Sequence, residues 1–338
     1  MTKRGWAFLG LGVASMLTFA FGLTVGSADV GWSTLADVLT GSDRVSGPER
    51  LILLESRLPR VLGAWITGAG LSIVGVAMQA LVRNPLAEPY ILGISGGASA
   101  GASLFYMGLL PSFFLGAMSV SLAAFLGALA TILLVYAVAR TRDGLSVTRL
   151  LLAGVALASL TGALSSFVSF ASPDANRLRA VLFWLLGSFS GLTLSDLPVA
   201  SVAALLGLGI LMVFSRSLDA LLLGEESAAA LGIPVEWIKH ILIVLAALVT
   251  GTLVAISGAI GFVGLIVPHV VRGFTGVSHR YVVPAAFLGG GLFLVAADTL
   301  ARSMLPGQEI PVGIVSSLAG VPFFLVLLRR QSWRFKNL

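Results

Sequence analysis

Arg57 and Arg60 flank Leu58-Pro59, and a single carboxylate, Asp298, precedes Arg302 by one helical turn. A guanidinium presents paired donors to a carboxylate, so Arg57 and Arg60 could receive acidic groups of an external partner. They could equally be anchors whose apolar stems snorkel toward water. Spacing of four places Asp298 and Arg302 on one helical face, and a structural ion pair would explain an acid within an apolar stretch. Gly93-Ile94-Ser95-Gly96 has the G-x-S-G form of an intramembrane serine nucleophile, with His269 as a distant base, but three specified residues at a helix start are a thin signal. With no cysteine and three scattered histidines, no metal site is expected. The chain lacks a G-x-x-x-x-G-K-S/T loop, and its lysines are only Lys3, Lys239 and Lys336, so it cannot hydrolyse ATP by that route.

The elements that must position these groups are membrane helices. Of 338 residues, 57% are hydrophobic and only 11% charged, and the mean hydropathy of +1.01 excludes a soluble fold. Apolar runs are continuous rather than alternating, which selects helices over a barrel. Punctuation by Gly, Pro and charge predicts an all-α polytopic protein with ten spans, near 6–26, 58–81, 91–108, 115–139, 149–170, 193–214, 238–257, 259–275, 283–301 and 311–328. No Asp, Glu, Lys or Arg lies between Lys239 and Arg272, so two helices must turn around Ser257-Gly258. The opening Met1-Thr2-Lys3-Arg4 resembles a signal n-region, but the apolar run from Trp6 to Ala28 is long enough to be retained as a helix.

An even number of spans puts both termini on one side, and the basic residues choose the cytoplasm. Only Arg44, Arg50, Arg57, Arg60, Arg177, Arg179 and Arg302 fall outside, leaving fourteen of the 21 basic residues inside. The net charge of +6 is thus distributed by topology and forms no stripe for nucleic acid. Small-residue runs such as Gly97-Ala98-Ser99-Ala100-Gly101 read as ordinary close helix packing. Thr67-Gly68 with Gly75 and Thr250-Gly251 with Gly258 share one spacing, a weak hint of inverted halves, 58–170 and 238–328, within one transmembrane domain.

Arg57 through Ala98, including the stiff link Arg83-Asn84-Pro85-Leu86-Ala87-Glu88-Pro89 and Leu92-Gly93-Ile94-Ser95-Gly96-Gly97, resembles the signature of the iron-chelate and vitamin B12 (FecCD-type) permease family of type II ABC importers. The resemblance continues through Ser146-Val147-Thr148-Arg149, Leu231-Gly232-Ile233-Pro234, Gly258 to His269, Ala297-Asp298 and Pro311-Val312-Gly313-Ile314. It implies a permease working as a pair, more readily a homodimer than a heterodimer, with two cytoplasmic ATPase subunits that carry ATP and Mg and an external solute-binding protein. It implies no cofactor in this chain, and a cytoplasmic (inner) membrane of a bacterium or archaeon. By the same resemblance Arg57, Arg60 and Arg302 dock the binding protein. Within the cytoplasmic segment 215–236, the stretch from Leu221 to Gly232, with Leu223, Gly224, Glu225, Glu226, Ser227, Ala228 and Leu231, reads as a short amphipathic helix stopped by Gly232 and Pro234, and the resemblance implies that it is the coupling helix. Asn84, Pro85 and Leu86 with Ser146, Val147 and Thr148 form the inner gate.

In the fifth span Ser159, Gly162, Ser165, Ser166 and Ser169 recur at helical spacing. They either line a translocation path or satisfy themselves on backbone carbonyls. The expected cargo is a ferric siderophore, with haem and cobalamin as the other members of the class. An ion-coupled secondary transporter is the competing reading, resting on Asp298 alone.

Overall fold

The computed structural model describes residues 3–26, 31–40, 47–110, 119–142, 144–171, 174–305 and 308–334. In hydrocarbon a backbone must satisfy its polar groups internally, and helices do this throughout. Helix α1 (Lys3–Thr24) is followed by the short α2 (Trp32–Leu39). Helix α3 (Gly47–Leu51) continues through a π-helical turn, Ile52–Arg57, into α4 (Leu58–Val82), with Pro59 in its first turn where no N–H is needed. Then come α5 (Ile94–Tyr106) and α6 (Val120–Ala139). A minimal antiparallel pair, β1 (Arg140–Thr141) and β2 (Gly144–Leu145), leads into α7 (Val147–Phe170). The remainder is α8 (Ala175–Leu185), α9 (Leu197–Val213), α10 (Ser215–Leu221), α11 (Glu225–Ala230), α12 (Val235–Ser257), α13 (Val263–Thr275), α14 (His279–Ser303) and α15 (Val312–Arg334).

Among the described residues eight helical stretches are long and apolar enough to cross a membrane, so the chain is a multi-pass membrane protein. The two remaining expected spans are α5 and α13, each of 13 residues. At 1.5 Å per residue such a helix covers about 20 Å, short of the roughly 30 Å hydrocarbon core. In both, a link precedes the short helix: residues 83–93, which include a single 3-10 turn at Pro89–Leu92, before α5, and 258–262 before α13. The expected turn at Ser257-Gly258 is where α12 ends, on a Gly258 with φ of 68°. The sequence reading did not foresee α8, whose first turn is capped by the Asp174 carboxylate accepting from Asn176 N at 2.9 Å. The apolar stretch around α4 also starts earlier than predicted, at Gly47. Arg44 and Lys336 of the charge tally, and 115–118 of the expected fourth span, lie outside the described residues.

Helix α4 is the hub. Of its spanning window 83% is buried, against 22% for α1 and α7 and 28% for α9 and α15. Close backbone approach makes this possible: a β-carbon on Gly68 would sit 2.1 Å from the Gly290 carbonyl of α14. Likewise one on Gly101 would sit 2.2 Å from the Ala123 carbonyl of α6, the packing role expected for that small-residue run. The peripheral helices turn Leu152, Phe167, Val199 and Leu325 outward, as a lipid-facing surface requires.

Candidate functional site

At the expected outer end, three arginines and one aspartate form a buried cluster. Arg57 is 5% exposed and Arg60 6%, so neither projects outward as the sequence reading supposed. The π-helical turn carries Arg57 onto the end of α1, where its Nη1 donates to the Leu23 and Thr24 carbonyls at 2.8 and 2.5 Å. Those last-turn carbonyls have no helical partner, and a cation there suits the helix dipole. Arg60 Nε lies 3.1 Å from both Asp298 oxygens and its Nη2 3.0 Å from Oδ1. Its Nη1 reaches Glu309 Oε1 at 2.8 Å, and the Glu309 side chain is 45% exposed. Arg302 Nε lies 3.1 Å from Asp298 Oδ2, as the spacing of four allows, while Nη2 donates to the Gly22 carbonyl at 2.9 Å. Asp298 is therefore held by two guanidiniums at 1% exposure, which accounts for it without ion coupling.

Inside the bundle the links before α5 and α13 meet. Tyr90 Oη accepts from Ile260 N and donates to Ile260 O, both at 2.9 Å. Glu88 accepts from the amide of Phe262, a residue held at φ of 70°. Irregular backbone is tolerated at such depth only when its polar groups are satisfied by protein, and these two side chains do that. Ser188 N completes the support by donating to the Ser257 carbonyl at 2.8 Å.

The expected gate residues flank helix termini. Arg83, at φ of 54°, ends α4, and Asn84 Oδ1 accepts from Leu86 N at 2.9 Å to fix a turn with Pro85 exposed. Ser146 caps α7 by accepting from Arg149 N at 3.4 Å; Val147 is half-buried and Thr148 exposed. Of the stretch from Leu221 to Gly232 expected as one short helix, Glu225–Ala230 forms α11, while Leu221 ends α10 and Gly224, at φ of 108°, separates the two. Gly232, at φ of 80°, stops α11 ahead of Pro234. Of this segment Leu223 and Leu231 are about two-thirds exposed, Glu226 and Ser227 are exposed, and Ala228 is fully buried.

The serine stripe of α7 runs from an exposed edge, Ser159 and Ser166, across half-buried Gly162 and Ser169 to buried Ser165. Ser159, Ser165 and Ser169 each donate to the carbonyl four residues back, and nothing lies within 4 Å of a β-carbon placed on Gly162. Three of the four serines thus satisfy their hydroxyls within the helix, while the Ser159, Gly162 and Ser166 edge remains open. A separate cavity of about 490 Å³ at the expected outer end is lined by Tyr106, Trp184, Ser188, Asp196 and Ser257, and by none of the stripe residues. The His269 ring meets Phe323 edge-on at 5.8 Å, and among the described residues no hydrogen bond joins it to Ser95, so there is no serine–histidine pair. No group of three or more potential metal ligands occurs among the described residues.

Sequence reasoning missed Arg60 and Glu309 as partners in the outer cluster, and the Tyr90 and Glu88 supports. Only the Asp298–Arg302 spacing carried a local signal.

Known proteins resemble this chain over more than nine-tenths of its length. The cobalamin import system permease protein BtuC of Halobacterium salinarum is 39% identical over 95% of this chain and 85% of its own. The hemin transport system permease protein HmuU of Yersinia pestis is 40% identical over 91% of this chain and 92% of its own. The Fe(3+) dicitrate transport system permease protein FecD of Escherichia coli is 39% identical over 91% and 93% respectively. A solved structure described as an inward-facing metal-chelate type ABC transporter superposes with a TM-score of 0.83 at 31% identity, covering 95% of this chain and 98% of that one. The pattern of the FecCD transport family matches residues 14–330, and the chain belongs to that family.

Proposed function

We propose that this chain is the membrane-spanning permease subunit of an ATP-driven importer that moves a metal chelate into the cytoplasm by alternating access. The observation that carries the reading is the end-to-end likeness to a metal-chelate type ABC transporter. The named relatives supply the class of cargo, since corrin, haem and ferric dicitrate are all wrapped metals. A ferric siderophore is the first cargo to test, with haem and cobalamin beside it. Both termini lie in the cytoplasm of a bacterium or archaeon, and the segments 58–170 and 238–328 act as inverted halves, each with a long helix, a short link and a 13-residue helix.

Two copies of the chain pair so that the stripe of Ser159, Gly162, Ser165, Ser166 and Ser169 lines a weakly polar path, and the low burial of α7 leaves it available for this. The inner gate is Asn84, Pro85 and Leu86 with Ser146, Val147 and Thr148. The exposed Leu223 and Leu231 seat the segment 215–236 in a cleft of each ATPase subunit, where ATP and Mg are held; this chain performs no hydrolysis. Arg57, Arg60 and Arg302 receive acids of a solute-binding protein. Because the three are already buried and bonded, an incoming carboxylate acts by replacing the half-exposed Glu309 at Arg60.

The test is chelate accumulation in vesicles containing this chain, its ATPase and its binding protein. Uptake that requires ATP hydrolysis supports the reading. Uptake that ignores ATP and follows an ion gradient overturns it in favour of secondary transport.

A further inference from the structure

Lys239 stands at the expected cytoplasmic end of α12, where a lysine would ordinarily extend its ammonium into water. Here its side chain is only 4% exposed. The first turns of a helix also disfavour a cation, so nothing in α12 itself explains its placement. Its ammonium is spent on three acceptors: Glu225 Oε2 at 2.5 Å, Glu236 Oε1 at 2.8 Å and the Leu145 carbonyl at 3.3 Å. These use all three of its donors. Glu236 closes the arrangement by accepting from Leu145 N with its other oxygen, Oε2, at 2.8 Å. Gly144 makes room for this, since a β-carbon there would lie 2.6 Å from Glu236 Oε2.

Three segments therefore meet on one ammonium group. Glu225 begins α11, the short helix of the coupling segment. Leu145 ends β2 and directly precedes Ser146, the cap of α7 and the first of the second set of gate residues. Glu236 belongs to α12, which continues to the supported break at 258–262. Helix α11 has one fully buried side chain, Ala228, and so little apolar contact of its own through which to transmit movement. Apolar contacts slide, whereas charge-assisted bonds hold direction and length.

We propose that Lys239 is a positioning residue that ties the coupling segment to the gate loop, so that displacement of α11 by the ATPase is delivered to residues 144–148 and the start of α12. This rests on the importer reading above, and it describes a rigid-body linkage of a known kind. Glu225 and Glu236 are 36% and 46% exposed, so water screens the node, and its removal should show in coupling more than in folding.

The experiment measures ATP hydrolysis and chelate uptake in the same vesicles for the intact complex and for Lys239→Met, Lys239→Arg, Glu225→Gln and the Lys239→Met/Glu225→Gln pair. Lys239→Met is expected to keep hydrolysing ATP while cargo moved per ATP falls at least fivefold, and Lys239→Arg to recover most of the ratio. Glu225→Gln should lower the ratio in the same direction, and the double variant should add nothing to Lys239→Met, since Glu225 reaches the gate loop through Lys239. An unchanged ratio in Lys239→Met, or losses that multiply in the double variant, overturns the linkage. If Lys239→Met does not assemble, Glu225→Gln decides alone, because it alters a half-exposed side chain without changing its shape. Wild-type vesicles that move no chelate under ATP would instead overturn the importer reading itself.

Discussion

Replacing Asp298 with Asn keeps the shape of the side chain and removes its charge, leaving Arg60 and Arg302 at 7% and 6% side-chain exposure. The two arginines are not equally affected. Arg60 keeps Glu309 at 2.8 Å, whereas among the described residues Arg302 keeps as hydrogen-bond partners the Gly22 carbonyl and the Thr299 hydroxyl, both uncharged. The uncompensated charge is thus Arg302, and breaking a buried pair from one side costs about 3–5 kcal/mol. Most of that is the penalty of a stranded cation rather than the worth of the pair, so Asp298→Asn with Arg302→Met should be more stable than Asp298→Asn alone. Unfolding in mixed micelles, followed by helicity, reads both variants against the intact protein. A single variant within about 0.5 kcal/mol of wild type, in the range of ordinary surface changes, would refute the argument. So would a double variant whose loss is the sum of the two singles.

Three further outcomes follow from the geometry. Tyr90→Phe orphans the amide and carbonyl of Ile260, which should cost about 2–3 kcal/mol and raise hydrogen exchange at Ile260 while exchange within α4 is unchanged. Gly68→Ala drives a methyl into the Gly290 carbonyl and should abolish the monodisperse folded protein, while Gly162→Ala, which meets nothing within 4 Å, should leave its yield intact; size-exclusion profiles compare them. Leu223→Asp, on an exposed leucine, should weaken recovery of the ATPase subunit on affinity-purified permease by tenfold or more without shifting the thermal transition of the isolated chain.

The spans were legible because an apolar run bounded by charge has few other physical solutions, and the expected break at Ser257-Gly258 followed from the same logic. The start of α4 was legible too, but its helical lead-in at 47–57 was not, because Glu49, Arg50 and Glu55 read as part of a polar outer loop, whereas the π-helical turn carries Arg57 against α1. Helix α8 was hidden likewise by Arg177 and Arg179. In the outer cluster, Asp298 and Arg302 are four residues apart and could be paired by periodicity. Arg60 is 238 residues from Asp298, and no local rule joins them. Lys239 was visible only as a topology marker, since its burial depends on a hairpin and a six-residue helix brought together by tertiary packing. The exposure of Arg57 and Arg60 was misjudged for the same reason: proximity to the outer end was read as access to solvent.

The most direct test of the central claim is uptake of labelled ferric siderophore, haem and cobalamin by cells with and without this chain, its ATPase and binding protein present in both. The account predicts that deletion abolishes energised uptake of one of the three and that the intact chain restores it. Unchanged uptake of all three would contradict the chelate assignment, and uptake that survives ATP depletion while following an ion gradient would contradict the importer itself.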